Sequence, residues 1–377
     1  MRAAAFVLAA LAVAPRVAFA NDDAAPDPYD DIREDAALDA HGLVDLYYAG
    51  NVDRPPSHRN ELRAFDFRAD QPSIGFARLT LARRPKRLGF RIDVGFGDLT
   101  DSFFRSDPAS LQHPDLVRSL SYFTQTFVSV NLPIGRGLRI DAGKFATPIG
   151  YEANESTANW NYSRGLLYEW AEPSFHTGLA ATYSPTSRIS FQSFVLNGWN
   201  VNIPEGTPFR SLALAAAWKP IDALTATLVY MTGPERDPVR FDIRTSTWRH
   251  LLDAYVVWTP ERHVSLVLTG DYGHDAAHNG VDWWGVGGYA RVDPARWFDA
   301  VVRAEVLADP EGFVTGRRQN VGEVTSTLDW HWIDGERQIA FRLEHRHDQS
   351  SESVFDPLSA SPRSRQDTIT AAILATF

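Results

Sequence analysis

The connections between the strand-like segments of this sequence alternate strictly between short and long, and this limits the possible folds more than any other feature. Sixteen segments with a two-residue repeat follow one another between residues 41 and 377. Every even-numbered segment ends in a tight turn such as Pro260-Glu261, whereas every odd-numbered segment is followed by a longer connection, the longest being 148–173. Membrane barrels built from consecutive antiparallel strands have this arrangement. A soluble sandwich has no reason to sort its loops in this way.

The two-residue repeat is clearest in segments 88–97, 298–306 and 338–346. In the first of these, apolar side chains at every second position alternate with glycines and with the charged residues Arg91 and Asp93. A helix would distribute those charges around its circumference, whereas a strand collects all of them on one face. The segments are therefore predicted to be strands with one apolar and one polar face.

The charges on the polar face decide which face points inward. Burying so many ionic groups in a dry core would cost several kcal/mol each, and a water-filled interior removes most of that cost. Lipid offers no hydrogen-bond partners, so a sheet that spans a bilayer must close on itself, and about sixteen strands enclose a wide lumen. The predicted fold class is all-β: a transmembrane antiparallel up-and-down β-barrel of about 16 strands, with short periplasmic turns and long extracellular loops.

The N-terminal residues predict export and a short extension before the barrel. Residues 1–20 combine Arg2, an apolar stretch and an Ala18-Phe19-Ala20 cleavage site, which is typical of a secretory signal peptide. Residues 21–40 are rich in carboxylates and are predicted to form a disordered acidic extension. The alternatives for this extension are a periplasmic contact or a Ca²⁺-binding tail. Residues 41–377 form the predicted barrel, located in the bacterial outer membrane.

Composition narrows the range of partners. The chain has a formal net charge of −10, which argues against nucleic acid as a partner, because nucleic acid requires clustered basic residues. The outer-membrane lipid is expected to contact the apolar face of the strands. The last strand ends on Phe377, and a terminal aromatic residue after an alternating strand resembles the signal read by the barrel-assembly machinery.

Several runs of residues resemble the OmpL-like β-barrel porin family (beta-barrel porin-2) of Gram-negative bacteria. These runs are 143–152 (GKFATPIGYE), 159–164 (NWNYSR), 172–178 (EPSFHTG) and 342–348 (RLEHRHD), together with Phe377. The resemblance covers residues 41–377 and implies an outer-membrane barrel that acts as a porin. The histidines of the last run, His345 and His347, depart from the usual ending of that motif.

The longest connection, 148–173, is the main candidate for a functional site. Porins of this size commonly fold the third external loop inward, so this loop is predicted to narrow the pore. The predicted pore-lining and constriction residues are Arg91, Asp93, Arg139, Asp141, Glu152, Glu155, Arg164, Glu169, Arg303, Glu305, Arg342, Glu344 and Arg346. Loop carboxylates opposite wall arginines would create a transverse field that orients solutes. The alternative is that the polar loop residues only attach the loop to the barrel.

The function predicted from the sequence is a water-filled channel for passive diffusion of small polar solutes. The alternatives are a structural or adhesive barrel with a closed lumen, and an outer-membrane enzyme such as a lipase. A lipase would need a Ser/His pair on the lipid-facing side near the rim, and Ser193 and His176 are not obviously placed there. The sequence contains no enzyme motif of the kinds that carry a nucleophile elbow, a phosphate loop or a zinc-binding helix. No cofactor and no metal are predicted, since His345 and His347 have no apparent third ligand. A homotrimer is a candidate assembly.

Overall fold

The chain folds into one closed antiparallel β-barrel of sixteen strands in which β1 pairs with β16. The computed structural model describes residues 27–33, 36–203, 210–236, 246–276, 280–334, 337–358 and 361–377. The first eight strands are β1 (Asp39–Asn51), β2 (Pro72–Arg83), β3 (Leu88–Phe96), β4 (Phe123–Leu132), β5 (Leu138–Ala146), β6 (Phe175–Thr186), β7 (Ile189–Leu196) and β8 (Ser211–Ile221). The other eight are β9 (Leu224–Arg236), β10 (Ser246–Glu261), β11 (Val264–Asp275), β12 (Val281–Ala295), β13 (Phe298–Asp309), β14 (Gln319–Asp334), β15 (Arg337–Ser350) and β16 (Arg365–Thr376). The predicted fold class is confirmed.

The seam between β1 and β16 closes the barrel, and one end of this seam lies among the short turns. Leu43 of β1 lies opposite Thr376 of β16, and Gly42 and Phe377 exchange two backbone hydrogen bonds of 2.7 and 3.0 Å. The side chain of Phe377 is 58% exposed at this seam. Short turns face the periplasm in outer-membrane barrels, so this end is called the periplasmic end below and the other the extracellular end.

The apolar face of the sheet points outward. The outward side chains are exposed and include Leu46, Leu79, Val128, Leu179, Leu214, Leu228, Val256, Leu268, Val286, Val302, Val324, Leu343 and Ile373. The side chains of the opposite parity point into the lumen and include Asp45, Arg78, Arg91, Asp141, Asp253, Asp271, Arg303, Glu323, Arg342 and Glu344. The arrangement is the inverse of a soluble barrel, as the charged strand faces predict.

Tryptophans at strand ends form part of the outer surface, as interfacial girdles do. Those near the periplasmic end include Trp218, Trp258, Trp297 and Trp332, and those near the extracellular end include Trp248 and Trp284, all of them exposed. Trp283 differs from these residues because its side chain points into the lumen. There it is fully buried, and its ring stacks on Phe313 with the centroids 5.4 Å apart.

Two short helices lie in the second long connection, where no helix was predicted. They are α1 (Asp98–Ser106) and α2 (Pro114–Ser121). Helix α1 buries Leu99 and Phe103, and the ring of Phe103 packs on Phe175 with the centroids 4.7 Å apart. Among the described residues, no helix has the length and apolar composition needed to cross a bilayer.

Part of the acidic extension is ordered, although the sequence predicted that it would be disordered. Residues 27–33, called the N-terminal segment below, lie inside the periplasmic end of the barrel. Tyr29 and Ile32 are buried at 1% and 3% exposure, and the Tyr29 ring packs edge-on against Phe127 at 5.8 Å. The physical reason is that the aspartates of the segment meet lumen arginines, as described below. The signal peptide prediction and residues 21–26 lie outside the described residues.

Candidate pore constriction

The connection between β5 and β6, residues 147–174, lies inside the barrel and is called the inner loop below. Its central residues are almost completely buried, with 0% exposure for Asn161 and Ser163 and 2% for Tyr162. The loop meets lumen-facing side chains of β1, β2 and β12 to β15. Wall residues that the sequence placed far apart therefore converge on one segment.

Three arginines of the wall attach the backbone of the inner loop. The guanidinium of Arg303 donates to the carbonyl oxygen of Ser163 at 2.6 Å and that of Arg342 to the carbonyl oxygen of Ser156 at 2.6 Å. Arg346 donates to the carbonyl oxygen of Arg164 at 2.5 Å. All three arginines are at most 1% exposed. Charge-assisted hydrogen bonds of this kind are about twice as strong as neutral ones.

Each of these arginines also pairs with a carboxylate of the wall. Arg303 meets Glu323 at 2.7 Å, Arg342 meets Asp329 at 2.6 Å, and Arg346 meets Asp348 at 2.9 Å. Arg303 additionally forms a 2.7 Å ion pair with Glu152 of the inner loop. Arg303 and Arg342 therefore bind the loop directly, which favours the alternative that polar residues attach the loop to the barrel.

Carboxylates of the wall accept hydrogen bonds from backbone N–H groups and hydroxyl groups of the inner loop. Glu344 accepts the N–H groups of Tyr162 and Ser163 at 2.6 and 3.0 Å. Glu305 accepts the N–H of Leu167 at 3.0 Å. Asp45 of β1 accepts the Tyr162 hydroxyl at 2.9 Å and the Ser156 hydroxyl at 2.9 Å. The polar parity of β1 places Asp45 in the lumen but does not indicate its partners in the loop.

The inner loop is also bonded to itself. Glu152 accepts the N–H of Gly165 at 2.6 Å, and the guanidinium of Arg164 donates to the hydroxyl of Ser156 at 2.8 Å and to the carbonyl of Asn154. Gly165 has no room for a side chain, since a Cβ there would lie 2.3 Å from a Glu305 carboxylate oxygen. The loop is therefore a compact unit that fits closely against the wall.

A second group of charges lies near the periplasmic end, where the remaining predicted residues converge. Arg91 forms ion pairs with Asp93 of its own strand at 2.8 Å and with Asp31 of the N-terminal segment at 2.6 Å. Arg139 likewise pairs with Asp141 at 3.1 Å and with Asp27 at 2.6 Å. These wall residues thus hold the N-terminal segment rather than the inner loop.

Arg78 connects the two groups and was missed from the sequence. Its guanidinium pairs with Glu155 of the inner loop at 2.6 Å and lies 3.4 Å from Asp31. Its position on the polar parity of β2 was the only available signal. Asp27 and Asp31 were missed as site residues because their carboxylate-rich surroundings predicted disorder.

A cavity of about 380 Å³ separates the N-terminal segment from the inner loop. Its walls are formed by residues of both segments and by lumen-facing residues of the barrel, among them Phe145, Tyr151, Thr182, Gln192 and Tyr255. The barrel residues around the cavity come mainly from β1 to β7, with a few from β10, β15 and β16, whereas the arginines that hold the loop backbone come from β13 and β15. The inner loop therefore leaves space along β4 to β7.

The carboxyls near the C-terminal end of the inner loop lie in an environment that favours their neutral form. Burial is the largest cause that raises the pKa of Glu169 well above its usual range, and the nearby Arg346 counteracts it only in part. Burial also raises the pKa of Glu172, and the carboxylates of Asp271 and Asp253 raise it further.

A closed sixteen-strand barrel with an apolar outer face, a polar lumen and a long loop folded inside it defines the class of outer-membrane porins. The chain belongs to the family described as "Putative beta-barrel porin-2, OmpL-like", whose model matches residues 37–377. The resemblance seen in the sequence is thereby confirmed, and the chain is an outer-membrane porin.

Solved structures with the same fold come from several porins. DcaP, an outer membrane channel of Acinetobacter baumannii, is similar with a TM-score of 0.59 and 8% identity over 90% of this chain and 97% of that one. OmpT of Vibrio cholerae gives 0.57 and 10% over 90% and 97%. An anion-selective porin from Comamonas acidovorans gives 0.57 and 9% over 90% and 99%. At these identities the likeness shows the fold alone. No curated protein sequence matches the chain.

Proposed function

We propose that this porin conducts small hydrophilic solutes along the side of the lumen that the inner loop leaves open, with the inner loop as its constriction. The observation that carries the proposal is the asymmetric attachment of the loop. Arg303, Arg342 and Arg346 hold it against β13 and β15, while the 380 Å³ cavity is bordered mainly by β1 to β7. A rigid loop on one side of a polar lumen sets the cross-section available to a solute.

A barrel with a closed lumen remains the second candidate, and one observation favours it. Tyr29 and Ile32 are buried inside the periplasmic mouth, where Arg91 and Arg139 hold the N-terminal segment through Asp31 and Asp27. If the segment stays in place in the membrane, it obstructs the periplasmic exit. Conductance of the purified protein in a planar bilayer separates the two candidates, since a closed barrel carries no current.

Conductance of variants that lack a loop anchor tests the constriction. We expect Arg303→Gln and Arg342→Gln to raise single-channel conductance or its fluctuations. Each of them removes charge-assisted bonds worth about 1.5–3 kcal/mol apiece and leaves Glu152 or Asp329 without its ion-pair partner. Arg188→Gln is the matched control, because that arginine lies on the periplasmic turn with a 53% exposed side chain.

Two results would count against the inner loop as the constriction. One is an unchanged conductance and ion selectivity in both anchor variants and in charge reversals such as Arg303→Glu. The other is an equal change in the Arg188→Gln control. Folding of each variant is checked beforehand by its resistance to heat in gel electrophoresis, so that a misfolded variant is not counted.

We also propose that the chain assembles as a homotrimer through the outer faces of β3 to β7. Strands β5 and β7 have 9 and 8 residues, compared with 16 in β10 and β14. A spanning strand needs about 9–11 residues, so β5 and β7 lie at the lower limit of this range or just below it, whereas β10 and β14 extend well beyond it. A structure of OmpT from Vibrio cholerae with the same fold is described as a trimer form.

The exposed C-terminal aromatic residue supports a further proposal on assembly. Phe377 lies at the seam where β16 meets β1, with its ring 58% exposed. We propose that it is read by the barrel-assembly machinery, as the sequence suggests. Replacing Phe377 with alanine is expected to reduce the amount of folded protein in the outer membrane without changing conductance per channel.

A further inference from the structure

Three carboxylates converge inside the barrel where the C-terminal end of the inner loop passes strands β10 and β11. Asp253 of β10 and Asp271 of β11 lie directly opposite each other in neighbouring strands, and Glu172 of the inner loop approaches both. One carboxylate oxygen of each residue lies within 4.8 Å of those of the other two. The three residues are at 0%, 5% and 4% exposure, respectively. Like charges in directly opposed cross-strand positions destabilise a sheet.

The oxygens of this group lack the partners that buried carboxylates normally have. Both oxygens of Asp253, both oxygens of Asp271 and Oε2 of Glu172 are buried and make no hydrogen bond of normal geometry among the described residues. The backbone N–H of Gly150 approaches Asp253, and Glu172 and Asp271 approach each other, but no cationic side chain does so. The charged groups that act most strongly on Glu172 are themselves carboxylates, namely Asp271 and Asp253, followed by Glu305. A buried negative group without such partners requires protons or a cation.

A second group of acidic residues in the lumen differs, because its carboxylates have basic partners. Asp299, Asp329 and His331 also lie within reach of one another. Asp299, however, meets Arg291 at 3.1 Å and His331 at 2.8 Å, and Asp329 meets Arg342 at 2.6 Å. Their charges are compensated by cationic side chains, so this second cluster gives no reason to expect a metal ion.

We propose that Glu172, Asp253 and Asp271 bind one Ca²⁺ ion, which joins the C-terminal end of the inner loop to strands β10 and β11. Each carboxylate can bind such an ion through one or two oxygens, so the three side chains can supply three to six of the six to eight oxygen ligands that Ca²⁺ takes.

The donor set favours Ca²⁺ over other ions. It consists of oxygen atoms alone, which suits hard cations rather than Zn²⁺ or Cu²⁺. Mg²⁺ requires near-ideal octahedral geometry and loses its water shell reluctantly, whereas Ca²⁺ accepts irregular carboxylate cages. Close packing around Glu172 also limits its movement, because Gly150 has a φ of +86° and a Cβ there would lie 1.9 Å from Glu172 Oε2.

The ion would attach the inner loop at a second place. The arginines of β13 and β15 hold residues 156–164, and a Ca²⁺ ion on Glu172 would fix the return of the loop to β6. The site depends only on the three carboxylates, so it stands whether or not the loop is the constriction.

Calcium titration of the purified, refolded porin after treatment with a chelator tests the site. We expect wild-type protein to take up one Ca²⁺ per chain in calorimetry and to unfold at a higher temperature with CaCl₂ than with MgCl₂. We expect Asp253→Asn and Asp271→Asn to weaken Ca²⁺ binding by at least the roughly tenfold to hundredfold that loss of a supporting contact causes. Asp299→Asn is the matched control and should bind Ca²⁺ as the wild type does.

Terbium luminescence gives a readout on the unmodified chain if an Asn variant fails to fold. Tyr255 lies two residues from Asp253 on the same face of β10, so we expect it to sensitise bound Tb³⁺, and we expect added Ca²⁺ to displace the signal. The proposal is overturned if wild-type protein binds no Ca²⁺ at about 1 mM, the weak end of known sites. Equal binding by the Asp253→Asn variant would overturn it as well.

Discussion

At the scale of single residues, the inner loop holds a carboxylate in conditions that favour its protonated form. Both oxygens of Glu169 are buried without a hydrogen-bond partner among the described residues, and burial raises the pKa of Glu169 well above the usual 4.5. The folded state therefore prefers the neutral acid. Since the unfolded chain loses this proton first, the free energy of unfolding falls as the pH rises above 4.5 towards the raised pKa.

Glu169→Gln is expected to remove this pH dependence. The amide has the same shape as the protonated acid and carries no charge, so the variant should be more stable than wild type by about 1–3 kcal/mol at neutral pH. The gain should vanish below about pH 4, where the wild-type carboxyl is protonated in both states. Denaturant unfolding in detergent micelles at several pH values measures it.

The control for this substitution is Glu352→Gln, because Glu352 is exposed at the extracellular rim. It should leave the free energy of unfolding unchanged at every pH. A Glu169→Gln variant with the same stability as wild type at neutral and acidic pH would show that the buried carboxyl has no energetic effect.

The sequence identified which residues face the lumen but not their partners. Strand parity placed Arg91, Arg303 and Arg342 correctly on the inner face. Parity says nothing about contacts between distant segments, so the ion pair between Arg303 and Glu152, 151 positions apart, could not be predicted. The same limit hid Asp31 as the partner of Arg91.

At the scale of single elements, ion pairs hold the N-terminal segment in the periplasmic mouth. Asp31 accepts two bonds from Arg91, at 2.6 and 2.9 Å. Burial acts to raise the pKa of Asp31, but Arg91, a hydrogen bond with His41, and Arg78 outweigh it and hold that pKa well below its usual range. Because docking lowers the pKa of the Asp31 carboxyl, the charged carboxylate stabilises docking at any pH above the usual carboxyl pKa. This contribution is lost only as the pH falls through the lowered pKa of the docked state.

Cysteine labelling of the segment tests this attachment, and the absence of native cysteine makes the label specific. In an Ile32→Cys background, we expect slow modification by a maleimide at neutral pH, where thiols react and the Asp31 carboxylate is charged and paired. Adding Asp31→Asn should speed labelling roughly 30-fold, which corresponds to about 2 kcal/mol for lost charge-assisted bonds.

The control for the labelling experiment is Asp222→Asn, a carboxylate in a periplasmic turn with a 93% exposed side chain. It should leave the labelling rate of Ile32→Cys unchanged. Rapid labelling without any substitution, or no acceleration by Asp31→Asn, would mean that these ion pairs do not hold the segment.

The sequence predicted strands better than any other element. All sixteen predicted segments overlap an observed strand, because a two-residue repeat with charges on one face is a property of the local sequence. Helix α1 was missed because its burial depends on Phe175, far along the chain, and the N-terminal segment was missed because carboxylate content indicates disorder only where no cationic partner is available.

At the scale of the whole molecule, the barrel wall is uneven in height and in side-chain size. The side that contains the two short strands β5 and β7 is called the short wall, and its outward residues include the small side chains of Ala142, Ala181 and Ser193. On the opposite side the strands are long, and Ala290 of β12 points outward among larger apolar groups such as Leu266 and Val302. Small outward residues on a short wall suit close contact between barrels better than contact with lipid.

A pair of matched tryptophan substitutions tests where copies of the chain meet. We expect wild-type protein in mild detergent to form trimers and Ala181→Trp to shift them towards monomers. A bulky ring on the short wall prevents the close approach of two barrels, and overpacking of this kind typically costs about 1–3 kcal/mol per site. Ala290→Trp makes the same change on the long wall, where tryptophan is compatible with lipid, and should leave the trimer intact. Light scattering after size-exclusion chromatography measures the mass. A monomeric wild type would exclude the trimer. Dissociation by Ala290→Trp alone would place the interface elsewhere, since the proposed interface requires that only the short wall be sensitive to added bulk.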